Sequence, residues 1–508
     1  PETHSAVEEP AKPVWVVPSR KPPGSKSFVD PQTDASVADV AVAVSEGYES
    51  IEHVKRYTTL GMGSDQGKLA GVNGIGLLAQ TLGVDISSVG TTTFRPPYTP
   101  ATFGAIAGRD LGELFDPVRK TAIYEWHREA GALFENVGQW KRPWYYPRGG
   151  ESMHDAVTRE CLAVRNGVGV MDASTLGKID VRGPDSSVFL NRVYTNGWTQ
   201  LAIGRCRYGF MLKEDGMLMD DGVTARLADD HYLMHTTTGG AAGVMTWLER
   251  WLQTEWPDLR VYLTSVTDHW TTVSINGPDC RKVVSRLSDD IDYDREAFPF
   301  LSFREGTVAG VPARVIRVSF VGELSYEVNV SANYGRHVWE AVMDAGRDYG
   351  ITAFGTEAMH MLRAEKGYVI AGQDTDGSMT PADLGMGWII SKRKKDFLGK
   401  RSLSREDTAR EGRKQLVGLL PDDPTEVLPE GAQVVDWPGN GTPVPMLGHV
   451  TSSYMSPTLG RSFALAYVKG GHSRMDDKVF VAVAGGRTVP ATIAGTQFYD
   501  PEGERQNV

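Results

Sequence analysis

A stretch punctuated by proline and glycine, Thr91–Asp110, constrains this chain most. Pro96-Pro97 and Pro100 remove backbone donors and fix φ, and the threonines and glycines around them favour turns, so regular structure is not expected to run through it. The chain is thereby split into regions that must fold on either side of a connector. At about 100–200 residues per domain, a chain of 508 residues predicts three or four compact units. Residues 1–27 hold Pro and Lys with one apolar run, Val14-Trp15-Val16-Val17, and are expected to form a linker or arm. Residues 28–90 turn helical: Asp34 or Ser36 can cap a helix whose Val37, Val40 and Val44 share a face. The connector occupies 91–117, a mixed α and β region 118–412, and a strand-rich unit 413–508.

Within the mixed region Gly177–Val181, His231–Thr236 and Ala313–Phe320 have strand character. Ala241–Trp256 places Val244, Trp247, Leu248, Trp251 and Leu252 at helical spacing, which makes its tryptophans core residues first. In the last unit, Lys478–Ala484 and Arg487–Ile493 flank Gly485-Gly486 as a hairpin, and a small barrel is expected.

Composition narrows the function classes. Apolar residues at 41% and charged residues at 23% belong to globular chains, not to disordered or fibrous ones. A formal charge of −11 gives no general basic footprint for nucleic acid. Cys161, Cys206 and Cys280 are too dispersed for a disulfide framework or a cysteine zinc site, and a reducing, cytoplasmic setting fits them. No apolar run reaches the roughly 18 residues of a membrane span, and no secretion signal opens the chain, so the sequons at Asn329 and Asn440 are expected to be chance. The start at Pro1, without methionine, suggests a piece of a longer polypeptide.

Several motifs fail. Gly71-Val-Asn-Gly74-Ile-Gly76 sits in a helical context and lacks the preceding strand of a dinucleotide fingerprint. Ala173-Ser-Thr-Leu-Gly177-Lys178 lacks the first glycine and the final hydroxyl of a phosphate loop. His231 and His235 fall in a strand, where four residues span roughly 13 Å, so one metal cannot easily join them and no metal site is expected.

Four longer segments carry the information: RYGFMLKEDGMLMDDGVTARL (Arg207–Leu227), VSFVGELSYEVNV (Val318–Val330), His360–Lys400 beginning HMLRAEKGYVIAGQDTDG, and GHVTSSYMSPTLGRSFALAYV (Gly448–Val468). With GVMDASTLGK (Gly169–Lys178) they resemble, in consistent order over residues 118–508, the folate-binding family of the glycine-cleavage T-protein, or aminomethyltransferase. Within that family Gly138-Gln-Trp-Lys-Arg-Pro-Trp144, Ala358–Gly367, His53-Val-Lys-Arg-Tyr-Thr-Thr59 and Ser64-Asp-Gln-Gly-Lys68 look like the C-terminal half of the α subunits of heterotetrameric sarcosine oxidases. The resemblance implies an α+β fold: a small N-terminal helical domain, a T-protein-like α/β folate-binding domain, and a small C-terminal β-barrel.

The resemblance also implies tetrahydrofolate as cofactor, with FAD and FMN on or at the interface with a flavin-bearing β subunit, smaller subunits completing the hetero-oligomer, and NAD only in an N-terminal region not included here. No iron–sulfur cluster is expected, since residues 28–90 hold no cysteine. The implied function is to move the one-carbon unit of an oxidised N-methyl amine such as sarcosine onto tetrahydrofolate, forming 5,10-methylenetetrahydrofolate. A stand-alone folate-dependent aminomethyltransferase or demethylase, and a non-catalytic folate-binding scaffold, are the alternatives.

For the site, the resemblance assigns Glu327 to the pterin, whose exocyclic amine and ring N–H a carboxylate can accept together. By itself, Tyr326-Glu327-Val328 reads as an alternating strand with Glu327 facing solvent. Asp221 matches the catalytic carboxylate beside folate N10, where it can stabilise cationic character and take a proton. Alternation admits only one of Asp220 and Asp221 to the cavity; the bland alternative is a solvated acidic turn after Gly216. Tyr208 falls on a folate-contacting position, or is a buried structural tyrosine. Arg363 recurs with Glu365 as LRxE, either touching folate or making local scaffold contacts. Met359 stands where T-proteins commonly carry arginine. The run Lys392-Arg393-Lys394-Lys395 either serves the glutamyl tail of folate or is a solvated face.

Overall fold

The computed structural model describes residues 12–17, 27–95, 99, 101–109, 112, 117–437 and 444–508, and the chain divides into two compact units, residues 1–117 and 118–508. Most of the expected arm, the prolines Pro96, Pro97 and Pro100, and the Asn440 sequon lie outside the described residues.

In the first unit, helices Val37–Ser45, Ile51–Thr58 and Gly71–Leu82 close around Val40, Ala43, Ile51, Val54, Leu60, Leu77 and Leu78. Ser36, not Asp34, caps the first helix: its hydroxyl accepts the Asp39 N–H while the Asp39 carboxylate accepts the Ser36 N–H. The Gly71-Val-Asn-Gly74-Ile-Gly76 segment is indeed helical. One expectation needs correction, because the Thr91–Asp110 stretch contains a short helix, Phe103–Ala107. The Thr102 hydroxyl accepts the Ala105 N–H and supplies the start signal that the neighbouring prolines and glycines obscured.

The second unit holds two antiparallel-rich sheets and a barrel. In the five-stranded sheet the order is Tyr262–Ser265, Gly177–Arg182, His231–Thr236, Leu218–Ala228, Cys206–Leu212. In the six-stranded sheet it is Ser302–Val308, Val311–Arg317, Ser325–Ser331, Trp270–Asn276, Gly169–Asp172, Thr352–Ala353. Each sheet is covered on its outer face. Ile179, Val181, Met211, Tyr232 and Met234 pack under the helices Ser186–Val193 and Ala241–Thr254, through Phe189, Leu190, Val244, Trp247 and Leu248. Val273, Ile275, Tyr326, Val328 and Val330 pack against Val338, Trp339 and Val342 of the helix Gly335–Ala345. The tryptophan-bearing helix thus does what its spacing predicted, with Trp247 buried at the sheet.

Period-two alternation then turns the remaining residues of each strand towards the other sheet. Cys206 and Ala225 of one sheet share an apolar cluster with Phe303 and Ile316 of the other. The layer between the sheets holds the candidate site.

Six strands close the C-terminal barrel in the order Lys414–Pro421, Arg461–Lys469, Met446–Ser456, Gln433–Val435, Lys478–Ala482, Thr488–Ala494. Its last two strands form the expected hairpin, and Gly485 and Gly486 at its turn adopt φ of 77° and 72°, a region costly for residues with a Cβ. Asn329, the other sequon, is buried and accepts the Thr272 hydroxyl through its side chain, which leaves no exposed amide to modify.

Candidate functional site

In the paired strands Cys206–Leu212 and Leu218–Ala228, Tyr208 lies opposite Val223 and Phe210 opposite Asp221. Tyr208 and Asp221 are therefore diagonal neighbours on one face, close enough for a long side chain to bridge. The Tyr208 hydroxyl donates to Asp221 Oδ2 at 2.6 Å, and the Phe210 ring meets the Tyr208 ring edge-on. Asp220 belongs to the opposite, helix-covered face. Its Oδ2 accepts the Thr237 hydroxyl at 3.2 Å, and its Oδ1 accepts the Asp221 N–H at 2.9 Å. Only Asp221 therefore shares the inter-sheet face with Tyr208. Neighbouring Gly222 is required here, since a Cβ would lie 2.0 Å from the His235 carbonyl oxygen.

Both acids are removed from water, at 2% and 9% exposure for Asp220 and Asp221. Burial raises the Asp220 carboxyl to about 6. Burial, followed by repulsion from Asp220, raises Asp221 to about 7 against the opposing Tyr208 hydrogen bond. Such a carboxyl can exchange a proton near neutrality.

On the facing sheet Glu327 sits between Ser274 and Ile316, whose strands flank its own. It is half-buried, and its carboxylate forms no hydrogen bond among the described residues. Burial pushes Glu327 up to about 7, opposed by the positive charge of Lys178. Two residues set aside in the sequence enter the same layer from the other sheet. Lys178 and His235 pair across adjacent strands on the face that carries Tyr208 and Asp221. The Lys178 side chain is fully buried and donates to the Ser174 and Leu176 carbonyls at 3.0 and 3.1 Å. His235 Nδ1 bonds the Val223 carbonyl at 2.9 Å, while Nε2 is buried with no partner among the described residues. Burial and Lys178 hold His235 at about 3, hence neutral. Each histidine of the sequence pair makes its own separate contact, His231 with Asp180.

Arg363 does not join this group. It is fully buried, ion-paired to Asp374, and donates to the Tyr368 carbonyl at 3.0 Å and the Ser452 hydroxyl at 2.8 Å, fastening the helix Thr356–Glu365 to the barrel. Glu365 turns to Arg165 at 2.6 Å and Ser456 at 2.6 Å, so the LRxE pair serves two struts in place of a mutual contact. Met359 is buried in the largest apolar cluster. The basic run is not one solvated face: Lys394 is buried, and its ammonium bonds the Tyr194 and Asn196 carbonyls between exposed Arg393 and Lys395.

Lys178 and His235 escaped sequence reasoning as site residues. Their only local signal was a charged residue and a histidine within strands otherwise rich in apolar positions.

Comparison with known proteins agrees with this architecture. The GCVT N-terminal domain family matches residues 123–394, the glycine cleavage T-protein C-terminal barrel domain 414–500, and the sarcosine oxidase A3 domain 24–109. The chain is 53% identical to sarcosine oxidase subunit alpha of Corynebacterium sp. (strain U-96) over 98% of its own length and 52% of that protein. It therefore spans about half the length of the curated α subunits it matches. It is 30% identical to the aminomethyltransferase of Thermotoga petrophila over 75% of this chain and 98% of that protein. The crystal structure of the glycine cleavage system aminomethyltransferase T from Bartonella henselae superposes with a TM-score of 0.65 at 23% identity, covering 76% of this chain and 99% of that one, which establishes the shared fold.

Proposed function

This chain belongs to the glycine cleavage T-protein (aminomethyltransferase) family, and on that premise we propose that it is the tetrahydrofolate-binding part of a sarcosine-oxidase-like complex. It receives the carbon released by oxidation of an N-methyl amine such as sarcosine and directs it into 5,10-methylenetetrahydrofolate. The similarity to sarcosine oxidase α subunits supports the complex; in this reading a flavin-bearing partner chain carries the oxidation.

The observation that carries the reading is the layer between the sheets: one sheet turns the hydrogen-bonded Tyr208–Asp221 pair into it, and the other turns Glu327, whose carboxylate has no hydrogen-bond donor among the described residues. These residues fit a reduced pterin. Glu327 offers two acceptor oxygens to an amine and a ring N–H on one edge, a charge-assisted pair contributing about 1.5–3 kcal/mol when desolvated. When bound, tetrahydrofolate supplies the nucleophilic nitrogens. Asp221, ionised in part at neutral pH, accepts the proton released at nitrogen and stabilises adjacent positive charge. Tyr208 holds the Asp221 carboxylate in place through its hydroxyl and offers an aromatic edge to the ligand. Asp220 adds repulsion from behind the strand, which keeps Asp221 from becoming a permanently ionised acid.

The test is turnover of sarcosine by the complex assembled on this chain, with tetrahydrofolate present and product followed as 5,10-methylenetetrahydrofolate against free formaldehyde. Folate-dependent capture of the carbon that disappears in Asp221→Asn, with amine oxidation unchanged, is the expected result. Equal methylenetetrahydrofolate yield from wild type and Asp221→Asn would remove the assignment.

A further inference from the structure

Lys178 belongs to a motif that failed as a phosphate loop, yet the fold gives it an unusual setting. It is 0% exposed and lies in the Gly177–Arg182 strand on the face turned to the other sheet. Its ammonium is fixed by the Ser174 and Leu176 carbonyls, and no carboxylate reaches it within ion-pairing distance among the described residues. The loop that supplies those carbonyls is itself held rigidly. Asp172 Oδ1 accepts the Ser174 N–H at 3.0 Å and the Ser174 hydroxyl, Oδ2 accepts the Thr121 hydroxyl at 2.6 Å, and His127 Nε2 lies 3.2 Å from Oδ2. From that loop hydrogen bonds run to the strand of Glu327: Ser174 Oγ accepts the Thr272 N–H at 3.1 Å, the Thr272 hydroxyl donates to Asn329 Oδ1 at 2.7 Å, and Asn329 Nδ2 donates to the Glu327 carbonyl at 3.2 Å. A buried cation anchored in this way to the strand of a carboxylate with no hydrogen-bond donor among the described residues acts on that carboxylate through the low-dielectric layer they share.

We propose that Lys178 is the positioning residue of the pterin site: its buried charge keeps Glu327 in the carboxylate form that accepts the two pterin N–H groups. The proposal rests on the folate reading above and adds to it the group that makes Glu327 a competent acceptor. The other groups around Glu327 leave this task to Lys178. Cys206 faces it from Cys206–Leu212, its thiol pushed up to about 12 by burial and so neutral. His235 from His231–Thr236 is neutral, and Arg314 from Val311–Arg317 acts on Cys206 and His235. Burial lowers Lys178 to about 8 against the opposing charges of Glu327, Asp172 and Asp268, so the lysine carries its charge at pH 7. The direct electrostatic partner opposing the burial of Glu327 is Lys178.

The experiment measures binding of 5-formyltetrahydrofolate by calorimetry from pH 5.5 to 9 to the full chain in wild type, Lys178→Gln, Lys178→Met, Glu327→Gln and the Lys178→Gln/Glu327→Gln double variant. Gln can still donate to the two carbonyls, so Lys178→Gln guards against a simple folding defect. In Lys178→Gln the affinity should fall at least tenfold at pH 7, the pH at which binding is half lost should move upward, and affinity should return towards wild type by pH 9. With Gln at 327 the lysine substitution should have no further effect, because the charge it serves is gone. A loss equal at every pH, or an unmoved midpoint, overturns the proposal. The titration of the Glu327 carboxyl band by difference infrared spectroscopy without ligand separates the two readings. A band whose titration moves to higher pH in Lys178→Gln supports the lysine's role even if Glu327→Gln leaves folate affinity intact and the pterin assignment falls; a band that does not move overturns it whatever folate does.

Discussion

Asp221 and Glu327 are acids in strands of facing sheets, both raised by burial to about 7, and they arrive there by different means. Asp221 has a hydroxyl donor at 2.6 Å and a second acid one residue away, so its charge is steadied and opposed by immediate neighbours. Glu327 has no donor among the described residues, and its counter-charge is a lysine tied to other groups. The difference teaches that a similar titration position can serve opposite ends. A carboxyl already engaged and partly repelled can trade a proton during reaction, whereas a carboxylate left unengaged keeps both oxygens available to a ligand.

That contrast can be broken in several ways. Asp221→Asn should reduce methylenetetrahydrofolate formation by about 10²–10⁴-fold, the range expected for loss of a general base, with folate affinity little changed; comparable losses of affinity and rate would erase the distinction. Arg363→Met should lower stability by about 3–5 kcal/mol by leaving Asp374 buried and uncompensated, measured by chemical denaturation, while the folate affinity of the folded fraction stays the same. Glu327→Gln should weaken folate binding about 10- to 100-fold at neutral pH and leave the remaining binding less dependent on pH.

Stability offers a smaller, sharper readout. The folded-state value of Glu327, about 7, lies above the roughly 4.3 of an unfolded glutamate, so its ionisation penalises the folded protein increasingly as pH rises between them. Glu327→Gln should therefore raise the melting temperature at pH 8 and leave it nearly unchanged at pH 4. Tyr208→Phe should have the least effect, a several-fold loss at pH 7. Removing the hydroxyl that favours the ionised acid raises Asp221 further, so the rise of product formation with pH should shift upward in a pH–rate profile.

How much of this was legible beforehand varies residue by residue. The helix Ala241–Thr254 announced itself through Val244, Trp247 and Leu248, because helical periodicity is written in neighbouring residues. The hairpin at Gly485-Gly486 was equally local. Helix Phe103–Ala107 was hidden by flanking turn-formers, although Thr102 carried its cap. Asp221 and Glu327 became candidates through ordered motifs shared with a family, since neither strand segment differs locally from a solvated one. Arg363 and Lys394 had partners that no spacing discloses: Ser452 on a barrel strand for one, the carbonyls of Tyr194 and Asn196 for the other.

The sequence by itself determined the ingredients: where helices and hairpins form, that the cysteines are dispersed, and that acidic residues alternate with apolar ones in the strands. Tertiary structure alone decided that Asp221 and not Asp220 turns inward, that Lys178 and Glu327 enter one layer from facing sheets, and that Arg363 fastens the barrel. Alternation along a strand fixes only that neighbours point to opposite sides. Which side becomes the interior depends on the pairing register and on which sheet covers it, and those contacts join residues far apart in the chain.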